Sequence, residues 1–289
     1  MKKKIIILLL IVVIAGLICF MFFNKPFDYS SKFALSSERT LAISDNEIID
    51  TLKDEKNILF EDLTNILKIR SNGFFAVVSK SGKVYTNSSF DSELTKWEDI
   101  KDVAVGYMHI VGLKEDGTLV AKGENKVGQC NVQKFKDVKE VKAGAFHTVC
   151  LSKSGKIFNV GRNEEGQRNF DGWEDVSSIE CGPFSTYGIR KDGSILTTEK
   201  SKKYDFSQFE NIKELSVSLK HVVGVKKDGT VVATGDNTYG QCDLQDLKNV
   251  ASVKAGTNHT IVVFKDGSMK GFGKNDKGQT EVEKWNIKI

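Results

Sequence analysis

The chain repeats itself. Val141-Lys-Ala-Gly-Ala-Phe-His147, followed by Gly155, Gly161, Asn163, Gly166 and Gln167, returns as Val253-Lys-Ala-Gly-Thr-Asn-His259 with Gly267, Gly273, Asn275, Gly278 and Gln279. A third copy carries Val103, Gly106, His109, Gly117, Gly123, Asn125, Gly128 and Gln129, and a fourth Leu215, His221, Gly229, Gly235, Asn237, Gly240 and Gln241. Two weaker copies keep Gly182 and Gly193 with Ser185 in the histidine slot, and Ser71 and Gly82 with Phe74 there. The turn glycines Gly82, Gly117, Gly155, Gly193, Gly229 and Gly267 fall 35, 38, 38, 36 and 38 residues apart, as in an array of supersecondary units. Such a period excludes a doubly wound enzyme fold. Thirty-six residues before Gly82 stands Asn46, a residue that tolerates the positive φ of a turn. The chain therefore reads as seven repeats of about 37 residues, the first degenerate.

Within a repeat, short apolar runs are broken by turn signals: Thr148-Val-Cys-Leu151, then Ser154-Gly155, then Ile157-Phe-Asn-Val160-Gly161. Such runs are strands. Each unit reads as strand, Gly-x-x-His turn, strand, Asp-Gly turn, strand, Asn-x-x-Gly-Gln turn and a short outer strand led by Trp or Phe. Four antiparallel strands in that length make one propeller blade. With two prolines and almost no helical periodicity, tetratricopeptide and ankyrin units are excluded. The expected fold is all-β, a seven-bladed β-propeller over residues 33–289.

These residues resemble the regulator of chromosome condensation propellers, whose marks are Gly-x-x-His with an apolar residue beyond it, the Asp-Gly turn and the closing Gly-x-Asn-x-x-Gly-Gln. The match covers roughly residues 30–289 and is strongest from about residue 97. Its short period is more similar to the bacterial members, including the secreted propeller that inhibits β-lactamases, than to the longer-bladed eukaryotic nucleotide-exchange factor. Family membership implies fold far better than function.

An open propeller would expose an unpaired strand edge. The last residues, Trp285-Asn-Ile287-Lys-Ile289, copy the opening of later blades, Trp97-Glu-Asp-Ile100 and Trp173-Glu-Asp-Val176. They are expected to act as an inner strand latched onto the degenerate first repeat, near residues 33–50.

Residues 1–4, Met1-Lys-Lys-Lys4, precede residues 5–23, nineteen apolar residues without a charge, long enough to span a bilayer. The segment lacks a small-x-small cleavage site where a signal peptide needs one, which favours an uncleaved transmembrane helix over a signal cleaved to release a secreted protein. The three lysines keep that end cytoplasmic. The propeller would then sit outside, on a tether of residues 24–32.

Net charge is 42 minus 38, or +4, and without the three anchor lysines 39 minus 38, or +1. No basic face for nucleic acid follows from that balance, and Lys200 to Lys203 read as a solvated loop. Cys130, Cys150, Cys181 and Cys242 are expected to be free thiols, because blades pack about 10 Å apart and a disulfide needs Cα atoms within about 7 Å.

All four histidines, His109, His147, His221 and His259, occupy one repeat position. Equivalent atoms in adjacent blades lie about 10 Å apart, whereas zinc ligands each sit about 2 Å from the metal. A structural role is expected, with each imidazole bonded to a neighbouring backbone carbonyl. No metal or cofactor is implied. The carboxylates Asp116, Asp192, Asp228 and Asp266 precede glycine in repeated turns and are explained by them. No nucleophile elbow, phosphate loop or His-Glu-x-x-His occurs. Enzymatic propellers use non-repeated polar residues around the channel, and no such set stands out.

The Gly-x-x-His and Asn-x-x-Gly turns share one face, the Asp-Gly turns the other. The two residues before each histidine slot are Ser36-Ser37, Asn72-Gly73, Tyr107-Met108, Ala145-Phe146, Pro183-Phe184, Leu219-Lys220 and Thr257-Asn258. The candidate binding residues are Tyr107, Met108, Phe146, Pro183 and Phe184, with Lys220 and Asn258 beyond them on the ring. Aromatics are enriched at binding hot spots. The rings either meet a partner or fold into the channel mouth and pack on one another. The expected function is a membrane-tethered, monomeric module that binds a protein or peptide without catalysis. The alternatives are a cell-envelope carbohydrate binder or lyase and an architectural surface module.

Overall fold

The computed structural model describes residues 29–36, 39–44, 47–51, 65–72, 74–89 and 91–287. The expected cytoplasmic residues 1–4, the apolar run 5–23 and the tether up to residue 28 lie outside the described residues, as does Asn46. Seven antiparallel sheets follow one another along the chain. Blade 4 is representative, with strands Val138–Ala143, His147–Ser152 and Ile157–Gly161. First strands of successive blades touch, and Phe33–Leu35 of blade 1 contacts both Ile66–Ser71 and Val250–Ala255. The ring is closed by blades 7 and 1. Among the described residues no helix is long and apolar enough to cross a membrane.

Each blade has three strands, not the four expected. After the third strand of blade 3 the backbone bonds to itself in successive tight turns, Gly128 N to Asn125 O, Asn131 N to Gly128 O and Phe135 N to Val132 O. Asn125 Oδ1 accepts from Cys130 N and the buried Gln129 Oε1 from Val127 N. The stretch expected as an outer strand instead sends Val132 and Phe135 into the core between blades 3 and 4. Asp137 then takes a left-handed φ of 54°, which asparagine and aspartate tolerate best among non-glycine residues. Asn65, Asp99, Asp175, Asn211 and Asn249 do the same before blades 2, 3, 5, 6 and 7. This reversal, followed by a bulge such as that between Val138 and Glu140, delivers the chain to the next inner strand. Lys142, by its position on that strand, then borders the channel while Val141 is buried.

The closure also differs from expectation. Phe33–Leu35 is itself the inner strand of blade 1, paired in register with Thr40–Ser44. The C-terminus supplies the linking segment that precedes it: Ile287 N bonds to Gly267 O as Val138 N bonds to Gly117 O. Tyr29, Phe33, Val282 and Ile287 share one core cluster, with Trp285 packed against it. Thr40 Oγ1 donates to Gln279 O at 2.7 Å and Tyr29 Oη to Lys265 O at 3.1 Å across the seam. Tyr29, assigned to the tether on sequence, is buried in a turn of 3-10 helix, Tyr29–Ser31, so the packed domain starts before residue 33. Apolar contact between sheets closes the ring where a shared strand was expected.

Candidate functional site

The histidines set the turns of the candidate face. Each of the four is fully buried. His109 Nε2 lies 3.1 Å from Thr148 Oγ1 of the next blade, His147 Nε2 3.1 Å from Thr186 Oγ1, and His221 Nε2 2.8 Å from Thr260 Oγ1. Each of these threonines donates its proton to the carbonyl of Gln129, Gln167 or Gln241 at 2.8 Å. A hydroxyl that donates there must accept from the histidine, so Nε2 of these three imidazoles carries a proton, and burial, which disfavours the charged form, keeps the rings neutral. For these three histidines the expected carbonyl partner is thus replaced by a threonine relay between blades, whereas neither ring nitrogen of the buried His259 has a hydrogen-bond partner among the described residues. Where the slot holds Phe74 or Ser185, the next blade has Ile110 or Val222 in the threonine position. The glycine of Gly-x-x-His is required because a Cβ on Gly106, Gly144 or Gly256 would overlap the ring of its own histidine. Blade 6 has Ser218 there, whose hydroxyl bonds His221 Nδ1 at 3.0 Å. Burial pushes His109, His221 and His259 down to about 4 and His147 to about 3.

In blade 1 the corresponding bond is Ser36 N to Arg39 O, so Arg39 fills the histidine slot. The expected pair Ser36-Ser37 is out by one residue, and residues 37 and 38, which take that place, lie outside the described residues.

Met108 O, Phe146 O, Lys220 O and Asn258 O accept from Glu124 N, Arg162 N, Asp236 N and Lys274 N. The Gly-x-x-His turns and the Asn-x-x-Gly turns therefore stand side by side on one face. Tyr107, Met108 and Phe184 are exposed there, whereas Phe146 and Pro183 are half-buried. The Tyr107 and Phe146 rings lie 6.2 Å apart, tilted by 60°, and Ala145 N bonds Pro183 O at 2.9 Å. Lys220 Nζ donates to Asn258 Oδ1 at 2.8 Å. Three further apolar residues stand outside the candidate set read from sequence: Leu219, which that reading places on the ring beside Lys220 without making it a binding residue, Val127 and Tyr239. Among the described residues, the large hydrophobics exposed by 42 to 57% are these three with Tyr107, Met108 and Phe184. All six belong to this face.

Blade 5 lacks the Asn-x-x-Gly-Gln turn, and its third strand, Ile195–Thr197, is short. A cleft of about 250 Å³ opens there toward blade 6, lined among others by Pro183, Phe184, Lys200, Lys203, Tyr204 and Leu219. The lysine loop Lys200 to Lys203 therefore borders the apolar arc. On the opposite face Asp116, Asp192, Asp228 and Asp266 each accept the backbone N–H of Thr118, Ser194, Thr230 or Ser268 at 2.8 to 2.9 Å. These are turn contacts.

The channel holds what the sequence reading failed to find. Asp102 accepts from Lys68 at 2.8 Å and from Arg70 at 3.0 Å. Lys142 pairs with Glu180 at 2.7 Å, Glu140 accepts from Ser178, and Glu214 accepts from Ser252 at 2.7 Å. This is a non-repeated polar set at alternate positions of the first strands. Its period-2 alternation with buried Ile69, Val103, Val141, Ile179, Leu215 and Val253 was the available signal. Burial alone would lower Lys142, but Glu180 and Glu140 outweigh it and hold the ammonium charged. Asp102 stays ionised because Arg70 and Lys68 overcome the cost of burial. Burial raises Glu140.

The four described cysteines are free thiols. Burial pushes Cys130 and Cys242 up to about 11 and Cys150 and Cys181 higher still, so none is an activated nucleophile. No group of three or more histidine, cysteine or acidic side chains is placed to hold a metal among the described residues.

The model of the regulator of chromosome condensation (RCC1) repeat matches residues 100–129, 138–167, 212–241 and 250–279. Those are the blades that combine a histidine with the Gly-Gln turn. No curated protein sequence matches the chain. The fold is similar to the CRINKLY WD40 ectodomain of the Arabidopsis thaliana receptor kinase ACR4, at 16% identity over 84% of this chain and 94% of that one, TM-score 0.69. It is also similar to the ectodomain of the Physcomitrella patens receptor kinase CR4, at 13% identity over 85% and 73%, TM-score 0.61, and to human WBSCR16, at 13% over 90% and 82%, TM-score 0.55. Identities this low carry the fold alone. Four repeats of the regulator of chromosome condensation family thus lie within residues 100–279 of this chain, on a propeller fold.

Proposed function

We propose that the face carrying the Gly-x-x-His turns binds a protein or peptide, and that the chain is a binding module rather than a catalyst. The observation that carries this reading is the collection of all six exposed large hydrophobics on that face and none on the other, among the described residues. Monomeric surfaces rarely cluster apolar side chains without a partner to cover them. The rigid turns beneath, locked by buried histidines, keep the ordering cost of binding low. Residues 5–23 are read, from sequence, as the anchor that holds this module on the outer side of a membrane.

The test is capture of envelope proteins on the full chain, followed by identification and repeat capture with Tyr107→Ala and Phe184→Ala. Loss of the identified partner in both variants supports the reading; retention in both overturns it. Protease shaving of intact cells tests the topology, since a chain that survives shaving and fractionates with cytosol is not displayed outside.

The charged channel favours a second reading, an envelope carbohydrate binder or lyase. Formation of unsaturated, ultraviolet-absorbing products from a polyuronate would establish it.

A further inference from the structure

The channel charges are sorted by depth. In blades 2 to 7, the position one residue before the last pair of each first strand holds Arg70, Ala104, Lys142, Glu180, Ser216 and Lys254. This level lies next to the apolar face, because the strands run toward the Gly-x-x-His turns. It carries three cations against one carboxylate. Two residues deeper stand Lys68, Asp102, Glu140, Ser178, Glu214 and Ser252, three carboxylates against one cation. Arg70 and Lys142 are both paired, with Asp102 and Glu180. Lys254 is different. Its ammonium has no ion pair and no hydrogen bond among the described residues, although it comes from the same register position as the other two.

A half-buried cation in that place costs stability, since partial loss of water and like charge both oppose it. Burial lowers the Lys254 pKa; Glu214 and Glu180 oppose this, but Lys142 and Arg70 push it further down. The same side chain reaches Glu180 electrostatically, so the three cations act on a common volume near the axis. An ammonium of this kind, held near Glu214 and Glu180 but in contact with neither, at the mouth of a channel rimmed by Tyr107, Phe184 and Leu219, is matched by an anionic group arriving from the apolar side.

We propose that the channel mouth receives a carboxylate of the bound protein segment, an Asp or Glu side chain flanked by apolar residues, and that Lys254 with Arg70 and Lys142 is its counter-charge. The proposal rests on the assignment of the apolar face as the binding face and adds the chemistry of what enters it. An apolar neighbour of the carboxylate then lies over Tyr107 and Phe184 while the acid enters the channel, which couples hydrophobic contact to charge complementarity.

The probe is the peptide acetyl-Asp-Phe-Glu-Tyr-amide, with the uncharged isostere acetyl-Asn-Phe-Gln-Tyr-amide as its control, titrated into the full-length protein by calorimetry. The charged peptide is expected to bind at least about tenfold more tightly, a difference of about 1.4 kcal/mol, that shrinks as salt is added. Lys254→Gln should bring the charged peptide to the level of the neutral one and leave the neutral one unchanged, while Lys254→Arg restores the preference. Lys254→Met should raise the melting temperature, a result that a structural role for the lysine would reverse. Equal binding of the two peptides, no binding of the charged one at about 1 mM, or an unchanged preference in Lys254→Gln each overturns the proposal. So does preferential binding of a galacturonate trimer, which assigns the cations to a sugar acid. Phe184→Ala separates the two layers: if it weakens both peptides equally while Lys254→Gln is silent, the face stands and the carboxylate pocket falls; if Lys254→Gln acts and Phe184→Ala does not, the pocket stands and the face falls.

Discussion

Acid should dismantle this propeller through its histidines. In the unfolded chain an imidazole titrates near 6.5, whereas in the fold burial holds three of them near 4 and His147 near 3. The unfolded state therefore binds protons that the native state refuses, so stability falls as pH drops through 6.5 and stops falling, for these groups, below about 3 to 4. At pH 7 the penalty is small, because both states are mainly neutral. Between pH 7 and pH 5 each histidine withdraws about 1.8 kcal/mol, and the four together on the order of 7 kcal/mol. Domains are stable by about 5 to 15 kcal/mol, so the loss is a large share of the total. The assay is urea denaturation at pH 7, 6 and 5, on the wild type and on His147→Gln. Glutamine does not titrate, so the variant should be weaker at pH 7 for want of the Thr186 bond yet lose about 2 kcal/mol less on going to pH 5. Identical pH slopes in the two proteins would refute the argument. So would imidazole carbon resonances that titrate near 6.5 in the folded protein.

The threonine relay predicts that Thr148→Val, which keeps the shape and strands both His109 Nε2 and the Gln129 carbonyl, costs about 1 to 3 kcal/mol in chemical denaturation, and an unchanged midpoint contradicts the relay. Ile287→Ala, at the blade 7 to blade 1 seam, should cost about 2 to 5 kcal/mol and raise hydrogen exchange first in Phe33–Leu35 and Val250–Ala255; uniform exchange across all blades argues against a distinct seam. Tyr107→Ala and Phe184→Ala should each weaken the identified partner by roughly 1 to 3 kcal/mol with little change in melting temperature, whereas Thr118→Ala and Ser194→Ala on the opposite face leave binding intact. Phe146→Ala is expected to lower the melting temperature as well, because that ring is half-buried against Tyr107.

Much of the architecture was legible because it is written repeatedly. Gly106, Gly144 and Gly256 recur because each lies against an imidazole, and Asp116, Asp228 and Asp266 recur because each closes the same turn. A pattern caused by local geometry survives in sequence wherever the geometry is copied. The number of blades, the alternation of turns between two faces and the places of Tyr107, Met108 and Phe184 all follow from it.

What depended on contacts between blades was not legible in that way. Whether the stretch around Phe135 forms an outer strand or plunges into the core is decided by the neighbouring sheet and by the left-handed Asp137. Phe33–Leu35 became the inner strand of blade 1 because that blade completes itself, leaving Trp285 and Ile287 to pack at the seam. The partner of His109, His147 and His221 is a threonine nearly forty residues away, visible in sequence only once the blades are known to adjoin. The channel set escaped for the same reason: Arg70, Lys142 and Lys254 are separate surface-like lysines and arginines along the chain, and only closing the ring brings their charges to one axis. Repetition in sequence determined the fold and its faces, because turn geometry is local; the tertiary ring alone decided the closure, the relay and the unpaired Lys254, because Coulomb and packing energies depend on distance in space.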